Sequence, residues 1–144
     1  MVVLIDDEKW IIGAYIDELE VKATRQYEYK PIHFYFPNQA LKFILQNVEK
    51  INVIVLDIGL EYGDYNLMPS EPGGIQFYNK IKNDPLLKEI PVIILTVYEL
   101  HQVAKTIYIN PTNNHLLCYI NRNQSDRDDI FWKNIDLTIK QKHF

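Results

Sequence analysis

The hydrophobic positions of this chain form five short runs. Three of these runs are mostly β-branched and do not alternate with polar residues, which is typical of parallel strands covered on both faces. They are "VVLI" at Val2, "VIVL" at Val53 and "VIIL" at Val92, and two further strand candidates are "IHFYF" at Ile32 and "LLCYI" at Leu116. A short apolar run alone does not exclude a buried helix. The prediction of five strands therefore depends on the segments between the runs.

Apolar residues at helical spacing follow every one of these runs. Asn38 is the expected N-cap of the second helix, and the last helix is expected to begin near Ser125 or Asp126. The five stripes are Ile12, Tyr15, Ile16 and Leu19; Leu41, Ile44 and Leu45; Ile75, Tyr78 and Ile81; Leu100, Val103, Ala104 and Ile107; and Ile130, Ile135 and Ile139. Five strand-helix units predict an α/β fold, a doubly wound five-stranded parallel sheet with helices on both faces.

Composition narrows the possible classes of protein. With 144 residues, 47% of them hydrophobic and 24% charged, the chain is expected to form a single globular domain over residues 1–144. The formal net charge of -4 argues against a nucleic-acid-coating surface. Cys118 is the only cysteine, which excludes an internal disulfide and favours a reducing compartment. No apolar run reaches the length of a spanning helix and no signal-peptide pattern is present, so we expect a cytoplasmic protein without membrane or direct nucleic-acid contacts.

Chemically active side chains follow four of the predicted strands. Asp6 and Asp7 come after the first strand, Asp57 after the third, Thr96 ends the fourth and Arg122 follows the fifth. Ligands of doubly wound sheets bind at this edge. Three neighbouring carboxylates repel each other unless a cation lies among them, and Mg²⁺ is the usual ion where a few carboxylates share a site with phosphate. The alternative is that each acid caps a helix or ends a strand in solvent.

This order of residues resembles the receiver domain of two-component response regulators, the CheY-like superfamily with a flavodoxin-like fold. The resemblance spans nearly the whole chain. It implies that Asp57 is the phosphoacceptor and that Mg²⁺ is the cofactor. Asp7 would then be a direct metal ligand, Asp6 would act through water, and the backbone carbonyl of Gly59 would complete the protein ligands.

The resemblance also implies a switch and partners. Thr96 would hydrogen-bond the phosphoryl group, Tyr119 matches the aromatic switch position, and Arg122 takes the place usually held by lysine. Phosphorylation would draw Thr96 toward the phosphoryl group and let Tyr119 turn inward, which changes a protein-interaction surface. The implied partners are a sensor histidine kinase or phosphotransfer protein and a downstream protein target.

Two segments depart from the family pattern. Residues 60–72 form a long insertion after the acceptor, either an inert surface loop or a lid or docking loop whose Glu61 and Asp64 reach the metal. "NRNQ" stands where lysine followed by proline is usual, so Arg122 points either into the site or into solvent. A shift of the alignment by one residue would instead put Asn121 in the lysine position. Tyr98, close to the predicted site, is a candidate shield for the phosphoryl group.

Three functions remain open from the sequence. The leading one is a phosphoryl-accepting signalling switch that is not an enzyme. The alternative is an atypical receiver that binds proteins independently of phosphorylation, which the altered "NRNQ" and the insertion favour. A Mg²⁺-dependent phosphotransferase or phosphohydrolase needs a general acid or base, and no second aspartate stands two residues after Asp57.

Overall fold

The computed structural model describes residues 1–60, 73–99 and 116–141. These segments hold five strands and four helices, and all five predicted strands are present. The strands are β1 (Val2–Ile5), β2 (Pro31–Phe34), β3 (Val53–Leu56), β4 (Val92–Thr96) and β5 (Leu116–Asn121). The helices are α1 (Lys9–Ala23), α2 (Pro37–Gln46), α3 (Gly73–Asn83) and α4 (Arg127–Gln141), with short 3₁₀ turns at Tyr27–Tyr29 and Val48–Lys50.

The strands form one parallel sheet in the order β2-β1-β3-β4-β5. Ile5 at the end of β1 is level with Phe34 of β2 and Leu56 of β3, so the carboxyl ends of these strands meet at one edge. The winding direction changes between β1 and β3, and such a switch point is where ligands of doubly wound sheets bind. The predicted fold class is confirmed.

Helices pack on both faces of the sheet, and consecutive strand residues point to opposite sides, so β1, β3 and β4 each contribute to both hydrophobic layers. Val2 and Leu4 join the core cluster under α1 and α4, whereas Val3 and Ile5 join the cluster under α2 and α3. Burial of each aliphatic side chain in these layers stabilises the folded state by about 1.5–3 kcal/mol relative to leaving it exposed. The helices contribute Ile12, Ile16, Leu19, Phe131, Ile135 and Ile139 to the first cluster and Ala40, Ile44, Ile75, Phe77 and Ile81 to the second.

Two details of the sequence prediction were wrong. Asn38 is not an N-cap, because α2 begins at Pro37 with Phe36 in the capping position. Proline suits the first helical position, where its missing N–H has no intrahelical partner. Leu45 is exposed, and Ala40 lies in the core instead.

The stripe from Leu100 to Ile107 and most of the 60–72 insertion lie outside the described residues. In the part of the chain that is described, no helix is long and apolar enough to cross a membrane.

Candidate functional site

Backbone hydrogen bonds beyond the strand ends fix the positions of three predicted site residues. The Asp6 N–H donates to the Phe34 carbonyl (3.1 Å), and the Asp57 N–H donates to the Ile5 carbonyl (3.0 Å). The Arg122 N–H donates to the Thr96 carbonyl (2.9 Å) in the same way. The sheet ladder therefore continues one residue past β1, β3 and β5, and it holds these side chains at a rigid edge.

Three carboxylates meet at this edge. One oxygen each from Asp6, Asp7 and Asp57 lies within 4.8 Å of the other two. Asp6 and Asp57 are buried, and Asp7 is half-buried. A cluster of hard oxygen donors at this spacing fits a divalent cation such as Mg²⁺. The residues expected from the sequence to hold a metal are thus brought together.

Each oxygen of Asp57 has its own set of partners. Oδ1 accepts hydrogen bonds from the Thr96 hydroxyl (2.9 Å) and from the Gly59 N–H (3.1 Å). Oδ2 lies 3.3 Å from Nη2 of Arg122. The carboxylate is therefore held in one orientation, with Oδ2 facing the cationic side of the site.

Arg122 points into the site, which decides the orientation that the sequence left open. Its side chain is only 5% exposed, and Nη2 contacts Oδ2 of Asp6 as well as Asp57. Nη1 lies 3.7 Å from a carboxylate oxygen of Glu8, which is half exposed. Nε is buried without a hydrogen-bond partner among the described residues.

Side-chain hydrogen bonds shape the turn that carries Arg122. Oε1 of Gln124 accepts from the Asn121 N–H (2.8 Å), and Oδ1 of Asn121 accepts from the Asn123 N–H (2.9 Å). Nη1 of Arg127 donates to the Arg122 carbonyl (2.6 Å). Asparagine side chains commonly hydrogen-bond the backbone two residues on.

Sequence reasoning did not identify Glu8, Gln124 or Arg127 as residues around the site. The polar composition of "NRNQ" was a signal for the self-bonded turn, since asparagine favours such turns. The approach of Glu8 and Arg127 to Arg122 depends on where α1 and α4 begin relative to β5, and no local pattern encodes that.

Burial changes the acidity of Asp6. Loss of hydration raises the pKa of its carboxyl from 3.8 to about 7, although the neighbouring Arg122 guanidinium acts in the opposite direction. The Glu8 N–H, which donates to Oδ1 at 2.8 Å, also favours the ionised form. Repulsion from Asp57 and Asp7 adds to the increase.

Two tyrosines connect the site with the segment after β4. The Tyr119 hydroxyl donates to the carbonyl oxygen of Tyr98 and accepts from Nδ2 of Asn121 (3.3 Å). The Tyr98 ring lies beside Gly59, because a Cβ atom at residue 59 would be 3.0 Å from Cε2 of that ring. Tyr98 is therefore close to the Asp57 carboxylate. Thr96 already contacts the unmodified Asp57.

The start of α3 lies against the backbone of Asp57 and Ile58. The Gly74 N–H donates to the Ile58 carbonyl at 3.1 Å. A Cβ atom at residue 74 would lie 2.1 Å from the backbone carbonyl oxygen of Asp57 and 2.5 Å from Cα of Ile58. Only glycine permits this approach of helix to strand end.

Comparisons with known proteins place this architecture in a class. No family model and no curated protein matches the chain. The solved structure of the phosphorylated cyanobacterial phytochrome response regulator RcpA is 22% identical, covers 94% of this chain and 89% of its own, and superposes with a TM-score of 0.62. The Mn²⁺-bound form of response regulator Rcp1 is 22% identical over the same shares, with a TM-score of 0.58. A response regulator receiver domain protein from Clostridium thermocellum is 20% identical over 99% of this chain and 95% of its own, with a TM-score of 0.65.

The chain therefore has the fold of response regulator receiver domains over nearly its whole length. The resemblance seen in the sequence is confirmed for the fold.

Proposed function

We propose that this chain is a receiver-type signalling switch that accepts a phosphoryl group on Asp57 and changes a protein-interaction surface in response. The observation that carries the proposal is the convergence of complementary groups on one carboxylate. A hydroxyl from Thr96 and a guanidinium from Arg122 lie on the two oxygens of Asp57. Two further carboxylates lie within metal-sharing distance.

The Asp57 carboxylate is the candidate nucleophile. In the proposed step one of its oxygens forms a bond to the phosphorus of a phosphodonor, the bond between phosphorus and the leaving group breaks, and the leaving group departs with its electron pair. Mg²⁺, held by Asp7 and Asp57 with Asp6 and the Gly59 carbonyl in support, would supply neutralisation of the phosphoryl charge. Arg122 can donate to the same phosphoryl oxygens.

The signal would leave the site through Thr96 and the two tyrosines. Phosphorylation adds negative charge and acceptor oxygens at Asp57. The Thr96 hydroxyl is placed to hydrogen-bond those oxygens, and it also accepts from the Tyr98 N–H at 3.4 Å. Because Tyr119 holds the Tyr98 carbonyl, a shift of Thr96 changes the surface formed by β5 and the segment after β4.

The partners proposed are a sensor histidine kinase or phosphotransfer protein as donor and a downstream protein as target, acting in the cytoplasm. The receiver fold supports them, together with neighbours that are a phosphorylated and a Mn²⁺-bound response regulator. We expect no catalytic turnover of a phosphoester, since Gly59 offers no carboxylate two residues after Asp57.

The test is incubation with Mg²⁺ and a small acyl phosphate, followed by mass spectrometry. One phosphoryl increment is expected, on the peptide that contains Asp57. Asp57→Asn should abolish it, whereas the matched Asp17→Asn, at an exposed position of α1, should keep it. An unchanged adduct in Asp57→Asn would refute the assignment.

A second candidate is a binding module that works without phosphorylation. One observation favours it: Arg122 already bridges Asp6 and Asp57, so an internal cation offsets part of the negative charge of the site. The same experiment separates the two functions, because a phosphorylation-independent module would show no increment on any peptide.

A further inference from the structure

The two adjacent acids after β1, Asp6 and Asp7, differ in the number of hydrogen bonds and ion pairs that they form. Oδ1 of Asp6 accepts the Glu8 N–H at 2.8 Å, and Oδ2 contacts Nη2 of Arg122. The neighbouring Asp7 carboxylate has no hydrogen bond or ion pair to any described residue. Asp7 is therefore available to a cation, and Asp6 is already occupied.

The Arg122 guanidinium lies between the Asp6 and Asp57 carboxylates, in the region where a metal ion would bind. Nη2, besides contacting Asp6, lies 3.3 Å from Oδ2 of Asp57, the oxygen that neither Thr96 nor Gly59 engages. The side chain is only 5% exposed, so water screens its charge poorly. Its Nε has no hydrogen-bond partner in the described segments, which leaves a buried donor unused.

We propose that Asp6 is a positioning residue rather than a metal ligand: it anchors the Arg122 guanidinium across the acidic cluster, where the guanidinium competes with a divalent cation for Asp57. In this assignment Asp7 and Asp57 are the carboxylates that bind the metal. This assignment rests on the proposed function, since the competing metal is the one expected at a phosphoryl-accepting site.

The competition follows from charge and distance. A Mg²⁺ ion sits about 2.0–2.1 Å from its oxygen ligands, so an ion on Asp57 would lie close to Nη2 of Arg122. Two cations at that separation in a buried site repel strongly. Unlike a lysine ammonium, a guanidinium cannot relieve the repulsion by losing a proton. Arg122 must therefore move away or weaken metal binding.

The test is calorimetric titration of Mg²⁺ into the protein and its variants at one fixed pH and ionic strength. Arg122→Gln should bind Mg²⁺ about tenfold more tightly, or more, because a positive charge next to the ligands is removed. Arg25→Gln removes the same charge from an exposed residue after α1 and should bind like wild type. Equal or weaker binding by Arg122→Gln, or no measurable binding by it, overturns the proposal.

A double variant guards against misfolding of Arg122→Gln, which leaves Asp6 buried without its partner. Asp6→Asn with Arg122→Gln removes both charges of the pair and leaves a neutral polar side chain at each position. We expect this variant to bind Mg²⁺ at least as tightly as wild type, since the competitor is gone and no ligand is lost. Weaker binding than wild type would show that Asp6 is a ligand and would overturn the proposal.

The metal titration contains no phosphodonor, so its outcome is independent of phosphoryl transfer. Tighter binding by Arg122→Gln without any adduct on the wild type would support the competition and refute the proposed function. An adduct on Asp57 with unchanged Mg²⁺ affinity in Arg122→Gln would refute the competition alone.

Discussion

At the residue scale, the chemistry of Asp57 depends on which neighbour each oxygen has. Thr96 and the Gly59 N–H hold Oδ1, and the Arg122 guanidinium approaches Oδ2. Hydrogen bonds that fix one oxygen orient the other toward an incoming group without further ordering at the moment of reaction. The Gly59 N–H still holds Oδ1 when the Thr96 hydroxyl is removed, so Asp57 should remain the modified residue in Thr96 variants.

The Thr96 hydroxyl is expected to be needed for the response and not for the adduct. Thr96→Ala removes a buried hydrogen bond, typically worth about 0.5–1.5 kcal/mol, but it leaves Asp57 and Asp7 in place. We expect the phosphoryl increment to persist by mass spectrometry. The phosphorylation-dependent change in hydrogen exchange around Tyr98 and Tyr119 should be lost. Thr96→Ser is the control that retains the hydroxyl, and a wild-type exchange change in Thr96→Ala would contradict this role.

Asp6 should give the fold a measurable pH dependence. Its carboxyl has a pKa of about 7 when folded and an ordinary value of 3.8 when unfolded, so the folded state binds more protons between these values. The resulting stabilisation is fully present below 3.8 and is lost as the pH rises through about 7. The difference between the two pKa values corresponds to a change of at most about 4 kcal/mol in the free energy of unfolding.

The measurement is urea unfolding of wild type and Asp6→Asn over this pH range. The asparagine does not titrate, so the unfolding free energy of wild type relative to the variant should fall as the pH rises. A difference that stays constant across the range would show that Asp6 has the same acidity in both states.

At the scale of the elements, the approach of α3 to the end of β3 constrains the position of Asp57. Gly74 in the first turn of α3 hydrogen-bonds the Ile58 carbonyl, directly after Asp57. The contact is backbone against backbone, so it has no side chain that can adjust.

Gly74→Ala is expected to destabilise the protein and to impair phosphorylation. The new methyl group would overlap the Asp57 carbonyl, at 2.1 Å, and overpacking of this kind typically costs about 1–3 kcal/mol. Gly13→Ala is the matched control, because a Cβ atom there meets nothing within 4 Å in the middle of α1. Alanine at that position should stabilise the helix by roughly 0.5–1 kcal/mol.

Chemical denaturation and the yield of the Asp57 adduct are the two measurements for this pair of variants. If Gly74→Ala unfolds at the same denaturant concentration as wild type and accepts the phosphoryl group equally well, the close approach of α3 is not needed.

The helices also show what the sequence could and could not predict. The stripes on α1 and α4 were predicted because burial on one face imposes a regular spacing. The predicted start of α2 was wrong. Asn38 and Pro37 are both start signals, and the helix begins at Pro37. The inward orientation of Arg122 depends on the turn bonds of Gln124 and Arg127, which bring together residues whose side-chain directions no periodicity specifies.

At the scale of the whole molecule, the parallel sheet connects the acidic edge with both hydrophobic layers. The apolar runs predicted β1, β3 and β4 most directly, because strands buried on both faces have little room for polar residues. The strand-end acids could be predicted to converge because parallel strands share one edge. The contacts of Arg122 with Asp6 and Asp57 could not be predicted, since they depend on distances of a few ångströms.

A cation bound at this edge should stabilise the entire domain. A ligand that binds only the folded state raises the free energy of unfolding with its concentration, by about 2.7 kcal/mol at one hundred times its dissociation constant. Mg²⁺ should therefore raise the temperature of thermal unfolding progressively. Asp57→Asn should largely abolish the increase, because it removes one of the few carboxylate ligands. Asp17→Asn loses the same charge at an exposed position and should respond to Mg²⁺ like wild type. An equal increase in Asp57→Asn and wild type would show that the cation binds away from Asp57. It would also contradict the metal site proposed at this edge of the sheet.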